Sequence, residues 1–150
     1  MKAPRIMLAA GRSGSGKTMI TCGLLRALQQ MGKQPAAFKC GPDYIDPMFH
    51  REVLGVDSKN LDLFFSEEDI LKEGYLKHTK DADITITEGV MGFYDGMSLD
   101  SVKGSSYDVA QTLGLPVILV INARGAAMTL AAVVKLSLIH ISEPTRHLRI

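Results

Sequence analysis

At 150 residues, 46% hydrophobic and 22% charged, the chain has the size and composition of one globular domain with a core of its own. Its formal net charge is +1 with acids and bases interspersed. It therefore lacks the basic stripe of a nucleic-acid binder and the charge asymmetry of a membrane-surface protein, and neither partner is expected. No run reaches the roughly 18 apolar residues of a membrane span. The apolar start is interrupted at Gly11, too early for a secretory signal. The two cysteines, Cys22 and Cys40, have neither disulfide-framework nor C-x-x-C spacing and read as thiols of a reducing cytoplasm, the expected location.

In chain order, residues 5–10 form a short apolar run that ends in a glycine loop. Residues 17–31 follow with Ile20, Leu24, Leu25 and Leu28 at helical spacing, closed by Gly32. A second strand is predicted over 35–40, leading into Cys-Gly-Pro-Asp-Tyr-Ile-Asp-Pro at 40–47, where two prolines and a glycine stiffen the backbone. A helix over 47–54, a short apolar piece at 61–65 and a helix over 67–80 with Ser66 as its N-cap come next. Residues 83–88 alternate into a strand ending at Gly89, 105–113 read as a helix, and the apolar run within 116–122 reads as a strand buried on both faces. A last helix is expected over 126–135. Strands and helices alternate throughout, which predicts an α/β fold, a mostly parallel sheet flanked by helices with ligands at the carboxyl ends of the strands.

Gly-Arg-Ser-Gly-Ser-Gly-Lys-Thr at 11–18 fits G-x-x-x-x-G-K-[ST], and it stands directly after a strand and opens a helix, the context in which that motif binds phosphate. Gly11, Ser13, Gly14, Ser15 and Gly16 supply a loop that can wrap phosphate closely and present backbone N–H groups. Lys17 adds a positive charge at the β- and γ-phosphates, and the Thr18 hydroxyl can ligate Mg²⁺. The expected cofactors are ATP and Mg²⁺. Acids and bases at the other strand ends must then supply the chemistry. Lys39 ends the second strand, with Asp43 and Asp46 just beyond it; Glu88 ends the third; Asp95 lies in the glycine-rich segment 89–96. Glu88 is the first candidate to hold Mg²⁺, directly or through water. Turn and helix-cap chemistry is the alternative reading for Asp43 and Asp46, and an Asx-type turn is the alternative for Asp95. His50 and His78 have no ligand-spaced neighbours and read as surface or partly buried histidines.

Three segments together carry a likeness: the P-loop, Phe-Lys-Cys-Gly-Pro-Asp-Tyr-Ile-Asp-Pro at 38–47, and Thr-Glu-Gly-Val-Met-Gly-Phe-Tyr-Asp-Gly at 87–96. With Leu-Val-Ile-Asn-Ala-Arg-Gly at 119–125, the chain from about residue 5 to 135 resembles the cobyrinate a,c-diamide synthase family, glutamine-dependent ligases of corrin biosynthesis. The second segment is the most specific, since the related cobyric acid synthases carry Pro-Phe-Lys and Gln-Asn-Met there. The resemblance implies a dethiobiotin-synthetase-like P-loop NTPase fold, and ATP-dependent conversion of two acetate carboxylates of a tetrapyrrole-derived macrocycle to amides. It also implies a metal site at Thr18, Asp43 and Glu88, and catalytic or substrate-handling roles for Lys17, Lys39, Asp43, Asp46 and Asp95. Ammonia would come from glutamine, and a homodimer is the assembly to be tested.

In the family the synthetase part continues past the strand at 117–121 and is followed by a glutaminase domain with a nucleophilic cysteine. Residues 1–135 are thus expected to be a partial ATP-binding domain, incomplete and lacking that glutaminase domain. Neither Cys22 nor Cys40 stands at a nucleophile elbow, and no glutamine-dependent activity is expected of the chain alone. Residues 136–150 resemble an in-frame translation of a sequencing adapter, so a non-native tail is expected there; a genuine strand followed by a turn at Pro144 is the alternative. Nickel-sirohydrochlorin a,c-diamide synthases resemble the chain nearly as well. Dethiobiotin synthetases share the P-loop, the lysine and the glutamate but not the 40–47 segment. Partition-type switch ATPases carry a lysine where Arg12 stands.

Overall fold

The computed structural model describes residues 4–142. Among these residues five parallel strands run in the order β3-β2-β4-β1-β5: β1 Arg5–Ala10, β2 Pro35–Cys40, β3 Ser58–Leu61, β4 Ile84–Glu88 and β5 Val117–Val120, with a glycine directly after β1, β2 and β4. The connecting helices are α1 Lys17–Gln30, α2 Ile45–Glu52, α3 Glu68–His78 and α4 Ser106–Leu113. This is the expected α/β P-loop architecture. Because β2 pairs with β4 rather than with β1, residues far apart in sequence stand at the same height of the sheet: Lys39 is the register partner of Glu88, and Glu88 in turn of Leu8.

The central strands carry side chains to covered faces on both sides. Helix α1 packs on β1, β2 and β4, where Leu25 joins Leu8, Ala37, Val56 and Ile86 in a core flanked by Leu24, Leu28 and Val120. Fully burying a side chain such as Leu25 is worth roughly 1.5–3 kcal/mol. Elsewhere Phe38 stacks on Tyr75 of α3 at 4.7 Å between ring centroids.

Several boundaries differ from expectation. Helix α2 begins two residues before Pro47, which suits proline, since a first-turn position needs no N–H. A strand that was not expected, Ser58–Leu61, comes just before the apolar piece at 61–65, so the strand ending at Glu88 is the fourth in the chain and not the third. An edge strand of four residues buries only its ends, Ser58 and Leu61, while Phe64 and Phe65 are exposed in the following turn. Ser66 does not cap α3; Glu67 stands at the cap with extended backbone and no side-chain bond. At the start of α4, Ser105 does cap, accepting from the Asp108 N–H. Strand β5 is not buried on both faces: it lies at the edge of the described sheet and Ile118 is 48% exposed. His50 is fully buried on α2, with Nδ1 3.0 Å from the Ser58 hydroxyl, because its helix packs on β3. Cys40 is buried and Cys22 half-buried.

Of the described residues, 121–142 belong to a second unit. Asn122 accepts from the Arg124 N–H at 2.9 Å in a turn that leads to α5, Met128–Ser142. The helix runs past residue 135 where the alternative reading placed a strand; residues 143–150 of the tail lie outside the described residues. No helix among the described residues is long and apolar enough to cross a membrane.

Candidate functional site

The carboxyl ends of β1, β2 and β4 open into a cavity of about 460 Å³ bounded by the P-loop, the strand-end acids and residues 89–91. A larger cavity of about 610 Å³ lies beneath α3, lined by Phe38, Leu71, Tyr75 and His78. It contains none of the strand-end charges that converge at the smaller one.

The P-loop turns on two glycines in the left-handed region, Gly14 at φ 72° and Gly16 at φ 92°, a conformation costly for any residue with a Cβ. Gly16 is the N-cap of α1. It makes no side-chain cap bond, and the first turn holds no acid, so the N–H groups that begin the helix keep their positive potential for an anion. Ser13, Gly14, Gly16, Lys17 and Thr18 line the cavity. Gly11 and Ser15 shape the loop: the Ser15 hydroxyl donates to the Arg12 carbonyl at 3.0 Å, and Gly11 packs against the 89–96 loop.

Lys39 and Glu88 face each other across the β2–β4 ladder. The Lys39 ammonium lies 2.7 Å from Glu88 Oε1, 2.5 Å from Asp46 and 3.8 Å from Asp43. Burial pulls the lysine down, but the hydrogen bonds to Asp46 and Glu88 outweigh it, holding Lys39 above the ordinary lysine value and therefore charged. The Thr18 hydroxyl donates to Glu88 Oε1 at 2.6 Å, with Asp46 at 3.4 Å. Asp43 does cap chemistry and also faces the site: Oδ1 accepts from the N–H groups of Ile45 and Asp46, while Oδ2 is the oxygen nearest Lys39.

The segment after β4 closes the other side. Phe93 N–H donates to the Ala10 carbonyl at 2.8 Å, docking this loop on the start of the P-loop. Met91 adopts a left-handed φ of 48°, and its carbonyl accepts from the Lys17 ammonium at 2.7 Å. Burial first, then Lys39, lowers Lys17 from its ordinary value, with Glu88 and Asp95 opposing. Asp95 does not line the cavity; its carboxylate accepts from the Gly92 N–H at 2.8 Å, three residues back, and so closes the loop on itself rather than making the Asx-type turn considered for it. Ser106 was not singled out from sequence, yet its fully buried hydroxyl bonds both the N–H and the carbonyl of Val90 and ties this loop to α4. A serine immediately after the capping Ser105 was the available signal. Nothing in the sequence marked Met91.

Among the described residues no group of three His, Cys, Asp or Glu side chains is placed to hold a metal by itself. Three carboxylates gather on the Lys39 ammonium instead. Glu88 is nevertheless fully buried with Oε2 lacking a hydrogen-bond partner. A carboxylate that accepts from the Thr18 hydroxyl through one oxygen and keeps the other unpartnered fits Mg²⁺, which takes one or two protein oxygens and fills its shell with phosphate and water.

Parallel sheet, phosphate loop and strand-end acids together define a P-loop nucleotide-binding domain. The family described as CbiA, the CobQ/CobB/MinD/ParA nucleotide binding domain, matches residues 6–137, and the chain belongs to it. The chain is similar to proteins named cobyrinate a,c-diamide synthase. It is 42% identical to that of Thermoplasma acidophilum over 134 residues, covering 89% of this chain and 30% of the relative. It is 43% identical to that of a Synechococcus species over 128 residues, covering 85% and 28%. It is 46% identical to that of Picrophilus torridus over 135 residues, covering 89% and 30%. The chain thus spans about 30% of the length of these curated relatives.

Proposed function

We propose that the chain is the nucleotide-binding part of a longer synthase that amidates the a- and c-acetate carboxylates of cobyrinate or hydrogenobyrinate, with ATP activating each carboxylate and glutamine supplying ammonia through a separate glutaminase domain. The observation that carries this reading is the meeting of Lys17, Thr18, Lys39, Asp43, Asp46 and Glu88 around one cavity at the strand ends. The names of the similar synthases support the same substrate class.

A carboxylate resists ammonia because oxide would have to leave. In the proposed reaction a carboxylate oxygen attacks the γ-phosphorus and ADP departs; ammonia then attacks the acyl phosphate and inorganic phosphate leaves, giving the amide. The α1 N-terminus and Lys17 bind and orient the phosphates. Lys39, kept charged by Glu88 and Asp46, is a fixed positive group for the oxygens of the moving phosphoryl, the preorganised stabilisation on which such transfers depend. Thr18, Glu88 and Asp43 are the residues that would hold Mg²⁺. Mg²⁺, when bound, draws charge from the phosphate oxygens. Asp46 and Asp95 are the remaining acids proposed to handle substrate and intermediate.

The chain alone is proposed to lack glutaminase activity. Burial pushes the Cys40 thiol up to about 12, which leaves no thiolate for nucleophilic attack near neutral pH. Measurable glutamine hydrolysis by the purified chain would contradict that proposal.

The test of the whole reading is to express the gene at full length and assay ATP- and glutamine-dependent amidation of cobyrinate, hydrogenobyrinate and nickel-sirohydrochlorin side by side. Amidation of either of the first two is the expected result. Amidation of nickel-sirohydrochlorin alone would transfer the assignment to that macrocycle, and inactivity on all three would end the macrocycle reading.

A further inference from the structure

Asp43 and Asp46 reach the site from a loop and a helix start, not from a strand, so something must fix the backbone that carries them. The β2–β3 ladder ends at the pair Cys40 and Leu61, and the Gly41 N–H extends it by one bond to the Leu61 carbonyl at 2.9 Å. Beyond that point the chain turns away from β3 through Gly41, at φ 77°. From there the loop is held by a side chain. Asn60 of β3 donates from its single amide nitrogen to the Gly41 carbonyl at 2.7 Å and to the Asp43 carbonyl at 2.7 Å. Both acceptors are carbonyl oxygens, which cannot donate, so the NH₂ end of the amide must face them.

We infer that Asn60 is a positioning residue for the acidic arm of the site. It acts through Asp43. With its backbone pinned by Asn60, Asp43 caps the Ile45 and Asp46 N–H groups through Oδ1 and keeps Oδ2 toward Lys39. The capped first turn in turn holds Asp46 against Lys39 and within reach of Thr18. Few side chains can do this from that position. Aspartate has no donor, serine and threonine have one, and glutamine carries its amide one methylene farther from the backbone. Asn60 is the register partner of Lys39 on the neighbouring strand, which places its amide at the level of the loop.

The inference rests on the proposed Mg²⁺–nucleotide reading for its functional consequence but not for its structural one, and the two are tested separately. Amide hydrogen exchange on the purified chain reads the structural part. Asn60→Ala is expected to speed exchange at Ile45 and Asp46 by roughly tenfold, the effect of releasing about two exposed hydrogen bonds. Asn60→Asp is expected to speed it further, because a carboxylate would face two carbonyl oxygens. The Ile20 N–H, bonded to the Gly16 carbonyl in α1, should be unchanged in both variants. Equal acceleration at Ile20, or none at Ile45 and Asp46, overturns the inference. A titration with ATP, with and without Mg²⁺, reads the functional part. The variants should bind ATP in EDTA as the unaltered protein does, yet lose most of the gain that Mg²⁺ gives it. An unaltered protein that shows no gain from Mg²⁺ counts against the nucleotide reading; a gain retained in full by both variants counts against Asn60.

Discussion

Replacing Lys39 with methionine tests whether the strand-end charges are as tightly coupled as their distances imply. Methionine keeps the length and apolar stem but removes the ammonium that lies 2.7 Å from Glu88 and 2.5 Å from Asp46. The Glu88 side chain is 0% exposed and that of Asp46 16% exposed, so the unpaired charge falls mainly on Glu88, which has no water to turn to. Removing one partner of a buried pair costs about 3–5 kcal/mol, a large part of the roughly 5–15 kcal/mol that stabilises a domain. At this size that lowers the melting temperature by about 10 °C or more. Urea and thermal unfolding of the purified chain, followed by circular dichroism, measure the loss. The pairing also predicts non-additivity. Adding Glu88→Gln to Lys39→Met removes the stranded charge while keeping an acceptor for the Thr18 hydroxyl, and should recover about 2 kcal/mol of the loss. A single variant less than about 1 kcal/mol below the unaltered protein, or a double variant no better than the single, would refute the buried network.

Two further outcomes follow from the surroundings of single residues. His50 is fully buried and burial lowers it from the ordinary 6.5; below that value the unfolded chain takes up a proton that the folded one refuses, so stability present above 6.5 is lost as pH falls. Thermal melts between about pH 7 and pH 5 should show this decline, and His50→Gln should flatten it; an equally steep decline in the variant would assign the acid sensitivity elsewhere. At Gly92 a Cβ would stand 2.5 Å from the Asp95 carboxylate and 2.9 Å from the Gly11 carbonyl. Gly92→Ala should therefore cost about 1–3 kcal/mol in urea unfolding, and an unchanged midpoint would contradict the close packing of the 89–96 loop on the P-loop.

The parts of this molecule that the sequence made legible are those whose determinants are local. β1, β2 and the P-loop are contiguous in the chain and signalled by apolar runs and glycines, so their positions were readable to the residue or nearly so. β3 was not, because an edge strand reading Ser-Lys-Asn-Leu has only two inward positions and no alternation long enough to detect. β5 misled in the opposite sense, an apolar run that lies at the edge of the described sheet. In the site, the spacing of 11–18 was enough to name the phosphate-binding residues, and strand-end placement was enough to nominate Lys39 and Glu88. That the two pair, and that Thr18 joins them, depends on β2 and β4 being neighbours across 49 residues of sequence. The left-handed Met91 and the Ser106 tie follow from packing between loops and helix starts, for which short-range pattern carries no signal.

As proposed above, the P-loop binds nucleotide phosphate with Lys17 as its charged contact. Titrating the purified chain with a fluorescent ATP analogue in the presence of Mg²⁺, alongside a folded Lys17→Ala variant, tests this most directly. Saturable binding by the unaltered chain, displaced by ATP and lost in the variant, is the predicted result; no binding by the folded chain, or undiminished binding by Lys17→Ala, would contradict it.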